Sequence, residues 1–202
     1  TSSQIRTLIT KGIFEEFFIE IDRIGFHSIN SERIINLSHD QSTAFNHIKK
    51  ELSNKSVCLF HGVTSSGKTE VYIKYIEEII SSGKQVLFLI PEIALTSQLV
   101  FRLKEIFGSK VIVYHSRFNP NERVEIWNKV IMDSDEARII IGARSALLLP
   151  FKKLGLIIVD EEHEPSYKQF DPSPRYHARD TAILLSNFFK AKTILGYANP
   201  SI

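Results

Sequence analysis

One cysteine, Cys58, is present in 202 residues, so neither an intrachain disulfide nor a cysteine-ligated zinc site can be built from this chain. It lies in an apolar run, where a buried thiol is expected, and that usage fits a reducing compartment, the cytoplasm. No apolar run approaches the roughly 20 residues of a membrane span. The N-terminus shows no charged-then-apolar signal pattern, so no membrane association is expected. Charge of one sign is also scarce. The 25 Lys and Arg against 23 Asp and Glu leave a formal net charge of +2, too mild to imply a nucleic-acid partner from composition. Internal repeats and low-complexity tracts are missing, and a hydrophobic content of 43% supplies one sizeable core. The chain begins without Met and stops at Asn199-Pro200-Ser201-Ile202 within a motif, which predicts a piece of a longer protein.

What is present centres on Gly62-Val63-Thr64-Ser65-Ser66-Gly67-Lys68-Thr69, which meets every fixed position of the phosphate-loop pattern G-x-x-x-x-G-K-[ST]. An apolar run, Ser56-Val57-Cys58-Leu59-Phe60, precedes it, and Tyr72, Tyr75, Ile76, Ile79 and Ile80 follow at helical spacing. The loop therefore joins a strand to a helix N-terminus, where unpaired N–H groups and the helix dipole favour a polyphosphate. Lys68 adds charge for the β- and γ-phosphates, and the Thr69 hydroxyl can hold Mg²⁺.

Residues 1 to about 30 differ from the rest, with a short helix through Ile5, Leu8 and Ile9 and a strand over 14–21. This pair is either the remnant of an upstream domain or an edge addition to the main core. Beyond it, Ser38 and Gln41 form a capping-box pattern that opens a helix with Ala44, Phe45 and Ile48 inward. Strands are then expected at 56–60, 85–90, 110–114, 137–141, 154–159 and 191–195. Helices are expected between most of them, at 68–82, 94–107, 121–132 and 177–189. This alternation predicts an α/β fold, a mainly parallel sheet covered by helices on both faces.

Asp160-Glu161-Glu162-His163 closes the strand Leu156-Ile157-Ile158-Val159. A carboxylate at such a strand end sits beside the phosphate loop, so Asp160 can hold Mg²⁺ and Glu161 can orient or deprotonate the attacking water. After it comes a proline-broken loop, 164–177, in which Tyr167, Phe170 and Tyr176 interleave with Lys168 and Arg175. Those rings either stack on the bases of a single strand or pack the loop onto the core. His61, His115, His163 and His177 show no metal-ligand spacing.

Together the motifs resemble one family closely, the bacterial replication-restart helicases (primosomal protein N-prime) of helicase superfamily 2. Besides the phosphate loop and Asp160-Glu161-Glu162-His163, the likeness rests on Pro91-Glu92-Ile93-Ala94-Leu95-Thr96, Gly142-Ala143-Arg144-Ser145-Ala146-Leu147, Ser166-Tyr167-Lys168-Gln169 and Arg175-Tyr176-His177-Ala178-Arg179-Asp180. The resemblance implies a RecA-like first motor lobe over 35–202, preceded by the tail of a winged-helix domain over 1–34. It also implies ATP-driven 3′–5′ movement on single-stranded and forked DNA, and primosome and single-strand-binding proteins as partners. A zinc-binding module and a second lobe with an arginine finger would lie outside this chain. By position, Gln41 would recognise adenine, residues 62–69 would hold the phosphates, Thr69 and Asp160 the Mg²⁺, and Asp160, Glu161 and Lys68 would run hydrolysis. Arg144, Tyr167, Lys168, Phe170, Arg175 and Tyr176 would sense DNA.

One departure concerns the family's usual Gly-Ser-Ala-Thr-Pro-Ser, which reads Gly196-Tyr197-Ala198-Asn199-Pro200-Ser201 here. A small-molecule phosphate-loop kinase and a non-catalytic nucleotide-dependent module are the competing readings.

Overall fold

The structure, a computed structural model, describes residues 36–63, 66–91, 98–115 and 118–197. The segment 1–34, Thr64 and Ser65 of the phosphate loop, Glu92 to Thr96, and Asn199 therefore lie outside the described residues.

The elements run α1 (His39–Asn54), β1 (Val57–His61), α2 (Lys68–Ser81), β2 (Gln85–Leu89), α3 (Gln98–Phe107), β3 (Val111–Tyr114), α4 (Pro120–Ile131), β4 (Ile139–Gly142), β5 (Leu154–Val159), α5 (Ala178–Phe189) and β6 (Lys192–Tyr197). All six strands are parallel, in the order β1-β6-β5-β2-β4-β3. β2 and β5, apolar throughout 86–89 and 156–159 as suits strands covered on both faces, are the central pair.

Local chemistry starts the helices. Ser38 accepts from Gln41 N at 3.2 Å while Gln41 Oε1 accepts from Ser38 N at 2.8 Å, closing the expected capping box of α1. Asn119 and Glu122 form a second box on α4, with Pro120 in the first helical turn where its missing N–H costs nothing.

Alternation along β2 splits the core, because successive side chains face opposite sides of a sheet. Val86 and Phe88 join Leu52, Tyr72, Ile76 and Leu103 under α1, α2 and α3. Leu87 and Leu89 join Ile126, Val130 and Ala182 under α4 and α5. The strand order explains which helix goes where. From β1 to β2 and from β2 to β3 the chain moves one way across the sheet, and from β3 onward it moves back. Right-handed crossovers therefore lay α2 and α3 on one face and α4 and α5 on the other. Every strand then points its carboxyl end to one edge, where such sheets bind ligands.

Three expectations shift. β4 begins at Ile139 rather than 137 because Asp135–Ala137 form a 3₁₀ turn capped by Ser134 Oγ. β6 continues to Tyr197, since Gly196 and Tyr197 stay paired with Phe60 and His61. Cys58 is half-buried rather than buried, because β1 is an edge strand.

At the opposite, amino edge, fully buried Gln85 ties three segments together. Its Nε2 donates to the Val130 carbonyl at 3.0 Å, and its Oε1 accepts from the N–H groups of Lys152 and Lys153 at 2.9 and 3.1 Å. Gln85→Leu keeps the volume but strands these backbone groups. A loss of about 2–4 kcal/mol is expected from a lowered urea midpoint at unchanged slope. An unchanged midpoint would show that water replaces the amide.

Candidate functional site

The phosphate loop leaves the carboxyl end of β1, and Gly62 N donates to the Tyr197 carbonyl at 3.0 Å, which ties the loop to the end of β6. Gly67 caps α2 in the left-handed region at φ 80°, and a β-carbon there would overlap the Gln41 amide. Glycine is thus required twice over, by conformation and by room. Lys68, in the first turn of α2, points back into the loop. Its Nζ donates to the Gly62 carbonyl at 2.8 Å and lies 3.7 Å from Glu161 Oε1. Thr69 follows it on the same turn, half-buried. Gln41 reaches the site as well as its own helix cap, its Nε2 donating to the Gly67 carbonyl at 3.3 Å.

Asp160 follows β5 directly, held at its N–H by the Leu89 carbonyl at 3.0 Å. Its carboxylate Oδ1 accepts from the Tyr72 hydroxyl at 3.1 Å, and its carbonyl accepts from the Tyr167 hydroxyl at 2.7 Å. Burial, then the neighbouring Glu161 charge, push the Asp160 carboxyl above its ordinary value, against the opposing pull of Lys68 and the Tyr72 hydrogen bond. Burial also raises both tyrosines well above their ordinary value, so each remains a donor. Glu161 itself sits at φ 50°, a left-handed conformation unusual for a residue with a side chain. Glu162 N donates to the Gly196 carbonyl at 2.9 Å, and its carboxylate pairs with Arg179 at 3.0 Å. His163 Nδ1 lies 3.9 Å from Glu161 Oε2, and its ring meets Tyr197 edge-on at 4.8 Å.

Lys68 and Glu161 therefore meet at one edge of the sheet, with Asp160 beside Glu161, as their strand-end positions require. A half-buried carboxylate with raised pKa, next to a second carboxylate, is a donor set that a hard divalent cation would relieve. Among the described residues no group of three or more His, Cys, Asp or Glu could hold a metal by itself. An ion on Thr69 and Asp160 would take its remaining oxygens from water and phosphate.

The loop after the acidic motif is folded over this edge. Gln169 N donates to the Tyr176 carbonyl at 2.9 Å, and Lys168 bridges His177 antiparallel. Arg144 Nη1 donates to the carbonyls of Lys168 at 2.8 Å and Ser166 at 3.3 Å, while Tyr176 donates back to the Arg144 carbonyl at 3.4 Å. Tyr167, expected as a stacking surface, is 1% exposed and belongs to the core cluster, so in this conformation it offers no face to a base. Its volume is spent on packing and its hydroxyl on Asp160. Phe170, 68% exposed, and Arg175 face solvent, and Lys168 and Tyr176 are half-buried. Of the two readings left open by the sequence, packing onto the core therefore describes Tyr167 and not Phe170.

Tyr72 was legible only as a helical core residue. Its one signal is position, a phenol one turn after Lys68 on the inward face of α2.

The sequence pattern of the DEAD/DEAH box helicase family matches residues 38–196. The replication restart protein PriA of Bacillus subtilis is 41% identical over 206 residues, covering 100% of this chain and 25% of that protein. Its Haemophilus influenzae counterpart is 43% identical over 202 residues, covering 96% and 27%. The chain thus spans about a quarter of the length of the curated relatives it matches. Among solved structures, RecG bound to a three-way DNA junction superposes with a TM-score of 0.60 at 20% identity, covering 99% of this chain and 23% of that one. The helicase MrfA bound to DNA and AMPPNP gives 0.59 at 21%, covering 82% and 24%. These likenesses speak for the fold.

A carboxyl whose pKa is raised by folding carries no penalty below its unfolded pKa, and loses stability for the fold as pH rises through the folded value. Without nucleotide or divalent ions, Asp160→Asn should therefore raise the melting temperature at about pH 7, with the gain shrinking as pH falls toward about 4. A destabilised variant at neutral pH would mean that the charge is compensated in the folded chain.

Proposed function

Because the chain belongs to the DEAD/DEAH box helicase family, we propose that residues 35–202 are the first, ATP-binding motor lobe of a 3′–5′ DNA helicase acting in replication restart and primosome assembly at stalled forks. Residues 1–34 are then the tail of a winged-helix domain. The observation that carries the reading is the meeting of Lys68 and Glu161, 3.7 Å apart, at the edge where the phosphate loop and the half-buried Asp160 also lie. Family membership sets aside the small-molecule kinase. The whole protein's partners would be single-stranded and forked DNA, single-strand-binding and primosome proteins, in the cytoplasm. Among the described residues no helix is long and apolar enough to cross a membrane. Zinc and the arginine finger belong to the part of the protein that this chain does not span.

In the reaction, the backbone N–H groups at the start of α2 and the Lys68 ammonium hold the β- and γ-phosphates of ATP. Thr69 and Asp160 would hold Mg²⁺, which neutralises charge developing on those phosphates. Glu161 orients the attacking water and takes its proton as the bond to the leaving ADP breaks. Gln41, whose amide donates to the Gly67 carbonyl, would recognise the adenine. The loop carrying Phe170, Lys168, Arg175 and Tyr176 is attached to this machinery through Arg144 and through Tyr167 on the Asp160 carbonyl. A base stacking on Phe170 would gain roughly 1–3 kcal/mol, enough to select among loop conformations.

Lys68→Ala should remove most binding of the triphosphate, and an unchanged titration would sink the assignment. In the full-length protein, Glu161→Gln should stop hydrolysis while leaving nucleotide and Mg²⁺ binding nearly intact, because the amide keeps the shape and cannot accept the proton.

The two aromatics of the loop should separate. Tyr167→Ala is expected to cost about 3–5 kcal/mol of stability as a large-to-small core change. Phe170→Ala should leave the unfolding midpoint within about 0.5 kcal/mol, as for an exposed side chain, and lower the stimulation of hydrolysis by single-stranded DNA. Normal stimulation in Phe170→Ala would end the sensor role of the loop.

A further inference from the structure

Among the described residues, Tyr72 is the one polar side chain from α2, apart from the phosphate-loop residues, that hydrogen-bonds to the acidic motif. Its ring is 1% exposed and is clamped edge-on between Phe60, at 5.7 Å and 85°, and Phe88, at 5.5 Å and 81°. Phe60 lies on β1, which leads into the phosphate loop, and Phe88 on β2, beside β5. The clamp fixes the ring plane. Its hydroxyl then emerges at one place, 3.1 Å from Asp160 Oδ1.

The third wall is β6. A β-carbon at Gly196 would overlap the Tyr72 hydroxyl and stand 2.7 Å from Asp160 Oδ1, so phenol and carboxylate pack directly on bare backbone. Ring, carboxylate and glycine come from α2, the end of β5 and β6, and they leave the Asp160 side chain little freedom. A core tyrosine kept only for its volume would need none of this. Phenylalanine would fill the same clamp and spare the fold a buried hydroxyl.

We propose that Tyr72 is a positioning residue for Asp160, holding one carboxylate oxygen so that the group is set in advance to receive a divalent cation alongside Thr69. This rests on the reading of Asp160 as the Mg²⁺-facing carboxylate. The loss of such an outer partner lowers metal affinity while leaving the ion's own ligands in place.

The test is binding of a fluorescent ADP to the chain, titrated with Mg²⁺, in the unsubstituted protein and in Tyr72→Phe, Asp160→Asn and Gly196→Ala. Tyr72→Phe should raise the half-saturating Mg²⁺ about tenfold, the lower end of what outer partners contribute. Its affinity for ADP in EDTA should match that of the unsubstituted protein, which a general loosening of the core would not allow. Gly196→Ala, whose β-carbon would crowd both the Tyr72 hydroxyl and Asp160 Oδ1, should raise the Mg²⁺ requirement in the same way. If Asp160→Asn abolishes the Mg²⁺ dependence but Tyr72→Phe titrates like the unsubstituted protein, Tyr72 is packing alone and the proposal is overturned. If Asp160→Asn keeps the full Mg²⁺ dependence, the metal reading beneath it fails first.

Discussion

A carboxylate partly taken out of water at the end of a central strand costs free energy that close partners offset. Asp160 is that group, and four elements contribute to holding it. Its N–H rests on β2, its carboxylate on α2, its carbonyl on the loop after the acidic motif, and β6 closes over it at Gly196. The positive charge of Lys68, in the first turn of α2, favours the ionised carboxylate. The parts that would bind nucleotide are therefore the parts that stabilise one half-buried charge. A ligand that brings a cation would tighten the same contacts that hold the folded chain together.

Handedness gathers these parts. With all strands parallel and every crossover right-handed, the chain's reversal after β3 brings β5 and β6 back between β1 and β2. Phosphate loop and acidic motif, nearly a hundred residues apart, become neighbours across β6. Gly62 N and Glu162 N donate to the adjacent carbonyls of Tyr197 and Gly196. The end of β6 is thus a backbone splint between the two motifs. Tyr197, bulkier than the serine expected there, extends the splint through its ring against His163 and, at 5.7 Å, beside His61.

Much of this was legible before folding because it is local. The capping box at Ser38, the apolar runs of β2 and β5, and the phosphate-loop spacing each need only a few adjacent residues to be recognised. What escaped depends on partners far along the chain. Tyr72 and Tyr167 are both aromatic residues with polar tips, and composition cannot say whether such a ring faces a base or a core. Here 88 residues separate Tyr72 from the carboxylate it touches, and seven separate Tyr167 from its acceptor. The cap of α4 at Asn119 and Glu122 was within local reach, whereas the extension of β6 to Tyr197 exists only because β1 pairs beside it.

The backbone of Glu161 carries a last implication. At φ 50° a side chain is held where glycine would rest easily, a conformation that costs a non-glycine residue on the order of 1–2 kcal/mol. Engineering for heat resistance alone would favour glycine here, as at any strained turn. On the function proposed above, improvement by that criterion would erase the carboxylate that accepts the proton. Residue 161 is where robustness and turnover pull the sequence in opposite directions, and a thermostabilised form of this lobe should be designed with that position held fixed.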